Sequence, residues 1–108
     1  MSKNKGDQAE LLAIEYLLNL DYTILAHNFY FKGGEIDIIV TKNDTLHFIE
    51  VKSGISFEPI YNITPSKIRR ISKGAFIYMK KYKLDMAFCI DALIVKNKEI
   101  EFIKNITL

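Results

Sequence analysis

Asp37, Glu50 and Lys52 are the residues of this chain whose types and spacing can do chemistry. All three fall within one stretch, GGEIDIIVTKNDTLHFIEVKSG, from Gly33 to Gly54. Side chains alternate across a strand, so Asp37 shares a face with Glu35 and Ile39, and Glu50 shares one with Phe48 and Lys52. Ile36, Ile38, Val40, Ile49 and Val51 fall on the opposite side. If the strands pair across TKND, one side of the sheet is expected to be apolar. The other collects Asp37, Glu50 and Lys52.

Two carboxylates about 4 Å apart repel by about 4 kcal/mol at an effective dielectric near 20, which calls for compensation. A hard divalent cation, Mg²⁺ or Mn²⁺, provides it, because such ions take carboxylate, carbonyl and phosphate oxygens. Lys52 lies two residues beyond Glu50, roughly 7 Å along the strand, and reaches over the same pocket. The layout suits metal-assisted hydrolysis of a phosphodiester: the cation polarises the phosphate and acidifies a water, and the ammonium orients that water or steadies the phosphoryl oxygens. The plain alternative is a solvent-facing sheet carrying a Glu-Lys pair. The Asp in the neighbouring strand, the apolar context of both strands and an acid arriving from a helix argue against it.

That helix is expected from about Lys5 to Asn19, where Ala9, Leu12, Ala13, Tyr16, Leu17 and Leu20 recur at steps of three and four. Glu10 emerges at the edge of this stripe, whereas Glu15 is turned away to water. YTILAHNFYF is rich in β-branched and aromatic residues and reads as a first strand. Gly33-Gly34 then permits a tight turn into EIDIIVT, and KND a second turn into TLHFIEVKS. GISFEPIYNI, with Phe57, Ile60 and Tyr61, suits a mobile flap. Thr64 and Pro65 are an N-cap and first residue for a second helix, whose apolar side carries Ile68, Ile71, Ala75, Ile77, Tyr78 and Tyr82. DMAFCIDALIVKN and KEIEFIKNI close the chain as two strands joined at Asn97-Lys98. The expected order is αβββαββ, an α/β sandwich.

The length of 108 residues sets a single domain, residues 1–108, and 49% hydrophobic with 26% charged residues is a globular composition. The lone Cys89 sits in an apolar run, so a buried, inert thiol in a reducing cytoplasm is expected. No apolar run is long enough to span a membrane, and MSKNKGDQAE is too polar for a signal peptide. The net charge of +2 excludes little, but Ser66 to Lys83 holds seven basic residues and no acidic one. Such a face suits a polyanionic partner. Lys80, Lys81 and Lys83 also suit a solvated helix end, where they complement its dipole.

An acid in one strand followed by Glu-x-Lys in the next resembles the PD-(D/E)XK nucleases, whose restriction-endonuclease-like core has the order αβββαβ. More narrowly, GDQAELLAIEYLLNLDYTILAHNFYFKGGEIDIIV, FIEVKSG, ITPSKIRRISKGAFIYM and CIDALIV resemble the YraN-like family of small bacterial proteins, over Gly6 to about Ile103. The resemblance implies a mixed central sheet flanked by two helices. It gives Asp37 and Glu50 the role of metal-binding acids, with the backbone carbonyl of Val51 as a further ligand. Lys52 becomes the motif lysine and Glu10 the helix acid of the Holliday-junction-resolvase branch. Glu35 belongs to the pattern as an extra acid or a turn-stabilising one. Lys67 and Arg70, with Arg69 and Lys73, fall on the basic second helix and are expected to meet phosphates.

The chain departs from the pattern at Ile36, where the motif's name has proline, and at Ser53-Gly54, where relatives often carry Thr-Arg. One basic phosphate contact is lost by the second departure. The expectation is an Mg²⁺- or Mn²⁺-dependent endonuclease acting on DNA, with branched or recombination intermediates as one substrate class. Cutting a junction symmetrically would take a homodimer. The alternatives are a catalytically silent nucleic-acid-binding accessory module and an interaction protein whose acidic pocket holds a cation for stability.

Overall fold

Turn chemistry and strand alternation build the sheet. The computed structural model describes residues 5–54 and 63–106, so the expected flap residues Phe57, Ile60 and Tyr61 lie outside it. Helix α1 (Lys5–Asn19) leads into β1 (Thr23–Phe31), β2 (Gly34–Lys42) and β3 (Thr45–Ser53), an antiparallel meander. Asn43 and Asp44 both have left-handed φ, 53° and 62°, which is the two-residue hairpin turn whose twist matches its strands. Asn97 and Lys98 repeat the device between β4 (Ala87–Lys96) and β5 (Glu99–Ile103). Helix α2 (Pro65–Lys81) is the crossover that lets β4 pair with β3 in parallel. The sheet order is β1-β2-β3-β4-β5 and the chain order αβββαββ, as expected.

Both faces of the sheet are covered, which corrects the expectation of one apolar and one polar side. On one face Ala9, Ala13 and Leu17 of α1 pack on Ile38, Val40, Ile49 and Leu93. On the other, Ile71, Ala75 and Tyr78 of α2 pack on Ile39, Leu46, Phe48 and Ile90. Ile39 and Phe48, assigned by alternation to the charged side, are fully buried. A central strand with a helix on each face needs a nearly continuous apolar run, and IDIIV and FIEV are that. Among the described residues, the buried polar groups are Glu50 at one end of β3 and His47 with Asp91 toward the other. Leu20, counted in the α1 stripe, lies past the helix end and is 39% exposed.

Two local features fix α2. The Thr64 hydroxyl accepts from Lys67 N–H at 3.3 Å, and Pro65 fills the first helical position, as the sequence predicts. At the other end Lys83 takes a left-handed φ of 54° while Leu84 N–H donates to the Met79 carbonyl, closing the helix. Gly74 is buried against β1: a Cβ there would stand 2.4 Å from the Phe31 ring. The glycine therefore sets how closely α2 approaches the sheet. Cys89 is half-buried rather than sealed in the core. Burial, and then the charge of Asp91 beside it, push its thiol up to about 12.

Candidate active site

The acids meet where the β2–β3 ladder ends. Registered pairs run from Lys42↔Thr45 to Ile38↔Ile49, and Asp37 and Glu50 come next. There the side chain replaces the main chain: Val51 N–H donates to Asp37 Oδ2 at 2.8 Å. Regular alternation also lapses, because Ile36 packs with Ile39 on the α2 side instead of with Ile38. A cleft of about 390 Å³ opens at this point. Glu35, Asp37, Glu50, Val51 and Lys52 line its floor, with Glu10, Tyr30, Gly34 and Arg70 around them.

Its electrostatics are dominated by one pair. Burial, and after it the charge of Glu50, push the Asp37 carboxyl up to about 8; the Val51 N–H offsets only part of this, and Glu10 adds a smaller upward push. Without a counter-charge Asp37 therefore keeps its proton at neutral pH. Glu50 is 7% exposed, and Lys52 Nζ stands 3.4 Å from its Oε2. Lys67, near the start of α2, has its pKa lowered first by the Lys52 ammonium next to it. Two cations thus crowd one edge of an acidic cleft, an arrangement that a bound anion would relieve.

Glu10 forms the far wall and is held by β1. Its Oε1 meets His27 Nε2 at 2.9 Å. With its amide turned so that nitrogen faces the acids, Asn28 donates to Glu10 Oε1 and Glu35 Oε2, each at 2.9 Å; the opposite orientation would set its oxygen against both. Glu35 therefore serves the cleft and is bridged to Glu10, not confined to the turn. Sequence reasoning passed over both His27 and Asn28. The available signal was an asparagine inside a strand, where it is disfavoured. Asn28 has a left-handed φ of 60°, and an extra residue between Ile24 and Ala26 shifts the β1 register just before it. That irregularity aims both side chains at α1.

The basic residues of α2 divide. Arg70 lines the cleft and lies across Gly34, where an added Cβ would come within 2.7 Å of its Cδ. Gly34 is thus the first residue of β2 and a seat for Arg70, while the turn itself falls at Lys32-Gly33, with Gly33 at φ 113°. Lys73 Nζ is at the rim, 3.6 Å from where a Gly33 Cβ would be. Lys67 adjoins Lys52. Of the four residues expected to meet phosphates, Arg70 alone lines the cleft; Lys67 and Lys73 stand beside it, and Arg69 is exposed with no contact to it.

Comparison with known proteins adds a family. The model of the uncharacterised protein family UPF0102 matches residues 9–95. A UPF0102 protein of Wolinella succinogenes is 55% identical over 108 residues, covering 100% of both chains. One from Helicobacter hepaticus is 54% identical over 107 residues, covering 99% of this chain and 97% of its own. A third, from Sulfurovum sp., is 48% identical over 105 residues, covering 95% and 93%.

Proposed function

The chain belongs to the uncharacterised protein family UPF0102, the YraN family, and we propose that it is a divalent-metal-dependent endonuclease hydrolysing phosphodiester bonds of DNA. The observation that carries this reading is the meeting of Asp37, Glu50 and Lys52 in one cleft, walled by Glu10 and Arg70.

The donor set fits Mg²⁺ or Mn²⁺. Every candidate ligand is an oxygen, from Asp37, Glu50, the Val51 carbonyl and Glu10, which is what hard cations select. A raised Asp37 pKa is also what two adjacent buried carboxylates give when no cation separates them. When bound, the ion would supply Lewis acidity toward a phosphoryl oxygen and a more acidic water.

The chain's own groups do the rest. Asp37 must shed its proton to act as a ligand, so activity rises with pH toward about 8, and the cation moves that limb to lower pH. Lys52, tethered to Glu50, presents an ammonium to the attacking water or to the phosphoryl oxygens. Arg70 and Lys67 grip the phosphate backbone to either side. Asn28 and His27 hold Glu10 in place.

The test is incubation with supercoiled, single-stranded and four-way-junction DNA in Mg²⁺ or Mn²⁺, with a chelator control. Metal-dependent nicking supports the reading, and the preferred DNA form sets the substrate class. Salt-sensitive binding with no cleavage of any form would instead assign an accessory module.

A further inference from the structure

A second cluster of metal-ligating groups lies outside the cleft. β3 and β4 run parallel with His47 opposite Cys89, and Asp91 is two residues further along the same face of β4. Cys89 Sγ stands 3.1 Å and Asp91 Oδ2 2.6 Å from His47 Nδ1. All three donor atoms lie within 4.8 Å of one another. Glu50 is three residues along β3 from His47, roughly 10 Å away, and on the opposite face. The cluster is thus separate from the candidate active site.

The arrangement excludes a nucleophilic triad. Such a relay needs the acid and the nucleophile on opposite ring nitrogens. Here both meet the same one, Nδ1. Three donors converging on a single point are instead the layout of a coordination site, and the groups around them are those that would hold it in shape. Asp91 is fully buried, and its other oxygen, Oδ1, accepts from Asn105 N–H at 2.7 Å, so Oδ2 is aimed at the imidazole. Tyr22 packs edge-on against the His47 ring at 5.3 Å. Supporting contacts of this kind orient metal ligands.

We propose that His47 Nδ1, Cys89 Sγ and Asp91 Oδ2 form a binding site for a borderline-soft divalent transition metal, Zn²⁺ above all. A sulfur-nitrogen-oxygen set selects Zn²⁺ or Co²⁺ and disfavours Mg²⁺, so the two ends of β3 carry sites of different hardness. Metal bonds of about 2.0 to 2.3 Å in tetrahedral geometry place such donors roughly 3.3 to 3.6 Å apart. From 2.6 Å and 3.1 Å, the Asp91 and Cys89 donors therefore need to move away from His47 Nδ1 by about 0.7 and about 0.4 Å, which small side-chain rotations supply. Half-burial of Cys89 leaves the cluster reachable from solvent. An ion there would cross-link β3 to β4, the parallel pair that no hairpin turn secures.

Co²⁺ titration followed by absorbance tests this, because the chain has one cysteine and any thiolate-to-cobalt charge-transfer band must come from Cys89. The expected result is a band saturating at one equivalent. Zn²⁺ abolishes it, excess Mg²⁺ leaves it unchanged, and it persists in Asp37→Ala. Asp91→Asn and His47→Gln each weaken the affinity by at least about tenfold. A second readout needs no variant: in nitrogen-15 spectra, Zn²⁺ should shift Nδ1 of one of the two histidines. No band, no Nδ1 shift, or a band indifferent to both substitutions would overturn the site and leave a hydrogen-bonded polar cluster.

Discussion

Replacing Asp37 by Asn should make the cation-free protein more stable in mild alkali while flattening the pH dependence of its stability. In the folded chain the Asp37 carboxyl titrates at about 8 instead of near 3.8, because it is buried and stands beside Glu50. Between those values the folded state holds a proton that the unfolded chain has lost. The stabilisation from protonated Asp37 is therefore complete below about pH 4 and is lost as pH rises to about 8, at a limiting slope of about 1.4 kcal/mol per unit. Titration shared with Glu50 spreads that loss. Half the limiting slope, sustained for two pH units, removes about 1.4 kcal/mol, or about 5 °C of Tm for a domain of this size. Asn keeps an oxygen for Val51 N–H and offers Glu50 an N–H that never ionises. Thermal melts in chelator from pH 5 to 8.5 should show wild type falling relative to Asp37→Asn, with the variant the more stable at pH 8. Added Mg²⁺ or Mn²⁺ should raise wild type alone, by about 2.7 kcal/mol at a hundred times its Kd. A natively folded variant that melts below wild type at pH 8 without cation would refute the account of this pair.

Other substitutions separate packing from site. Gly74→Ala drives a Cβ into the Phe31 ring, so despite a helix-propensity gain of about 1 kcal/mol it should lower stability by a net 1 to 2 kcal/mol or so, read from denaturant melts. Asn28→Ala frees Glu10 from Glu35 and should weaken Mn²⁺ binding about tenfold in calorimetry, with little change in Tm without metal. Lys67→Ala removes one phosphate contact beside Lys52, and the slope of log affinity for DNA against log salt should fall by about 1. Arg69→Ala, away from the cleft wall, should change that slope less.

Local chemistry made most of the fold legible. Thr64-Pro65, Asn43-Asp44 and Asn97-Lys98 each announce a boundary through their own backbone preferences, and the structure uses all three. The approach of Asp37 to Glu50 followed from parity and a short hairpin, whose registered pairs stop one step before them at Ile38↔Ile49. Harder to read were features that depend on distant chain segments. Ile39 and Phe48 are core residues because α2 covers their face, and alternation within a strand does not say whether the far face is covered. His47, Cys89 and Asp91 come together through a parallel register set by a crossover, Cys89 and Asp91 lying 42 and 44 positions after His47. The assignment of Cys89 to an apolar interior followed from its neighbours in sequence, and its thiol is indeed pushed up by burial, but the half-burial and the contact with His47 come from neighbours in space. Asn28 reaches Glu10 through a left-handed backbone and a register shift, neither of which has a periodic signature.

Single-turnover cleavage of DNA by wild type, Asp37→Ala and Lys52→Ala, purified in parallel and matched by melting temperature, tests the central claim most directly. Wild type should cut in Mg²⁺ or Mn²⁺ and stop in chelator, with each variant slower by at least about a hundredfold. Lys52→Ala should still bind the cation, since it removes no oxygen ligand. Cleavage at equal rates by all three preparations, or by none of them, would contradict the assignment of Asp37, Glu50 and Lys52 to a nuclease site.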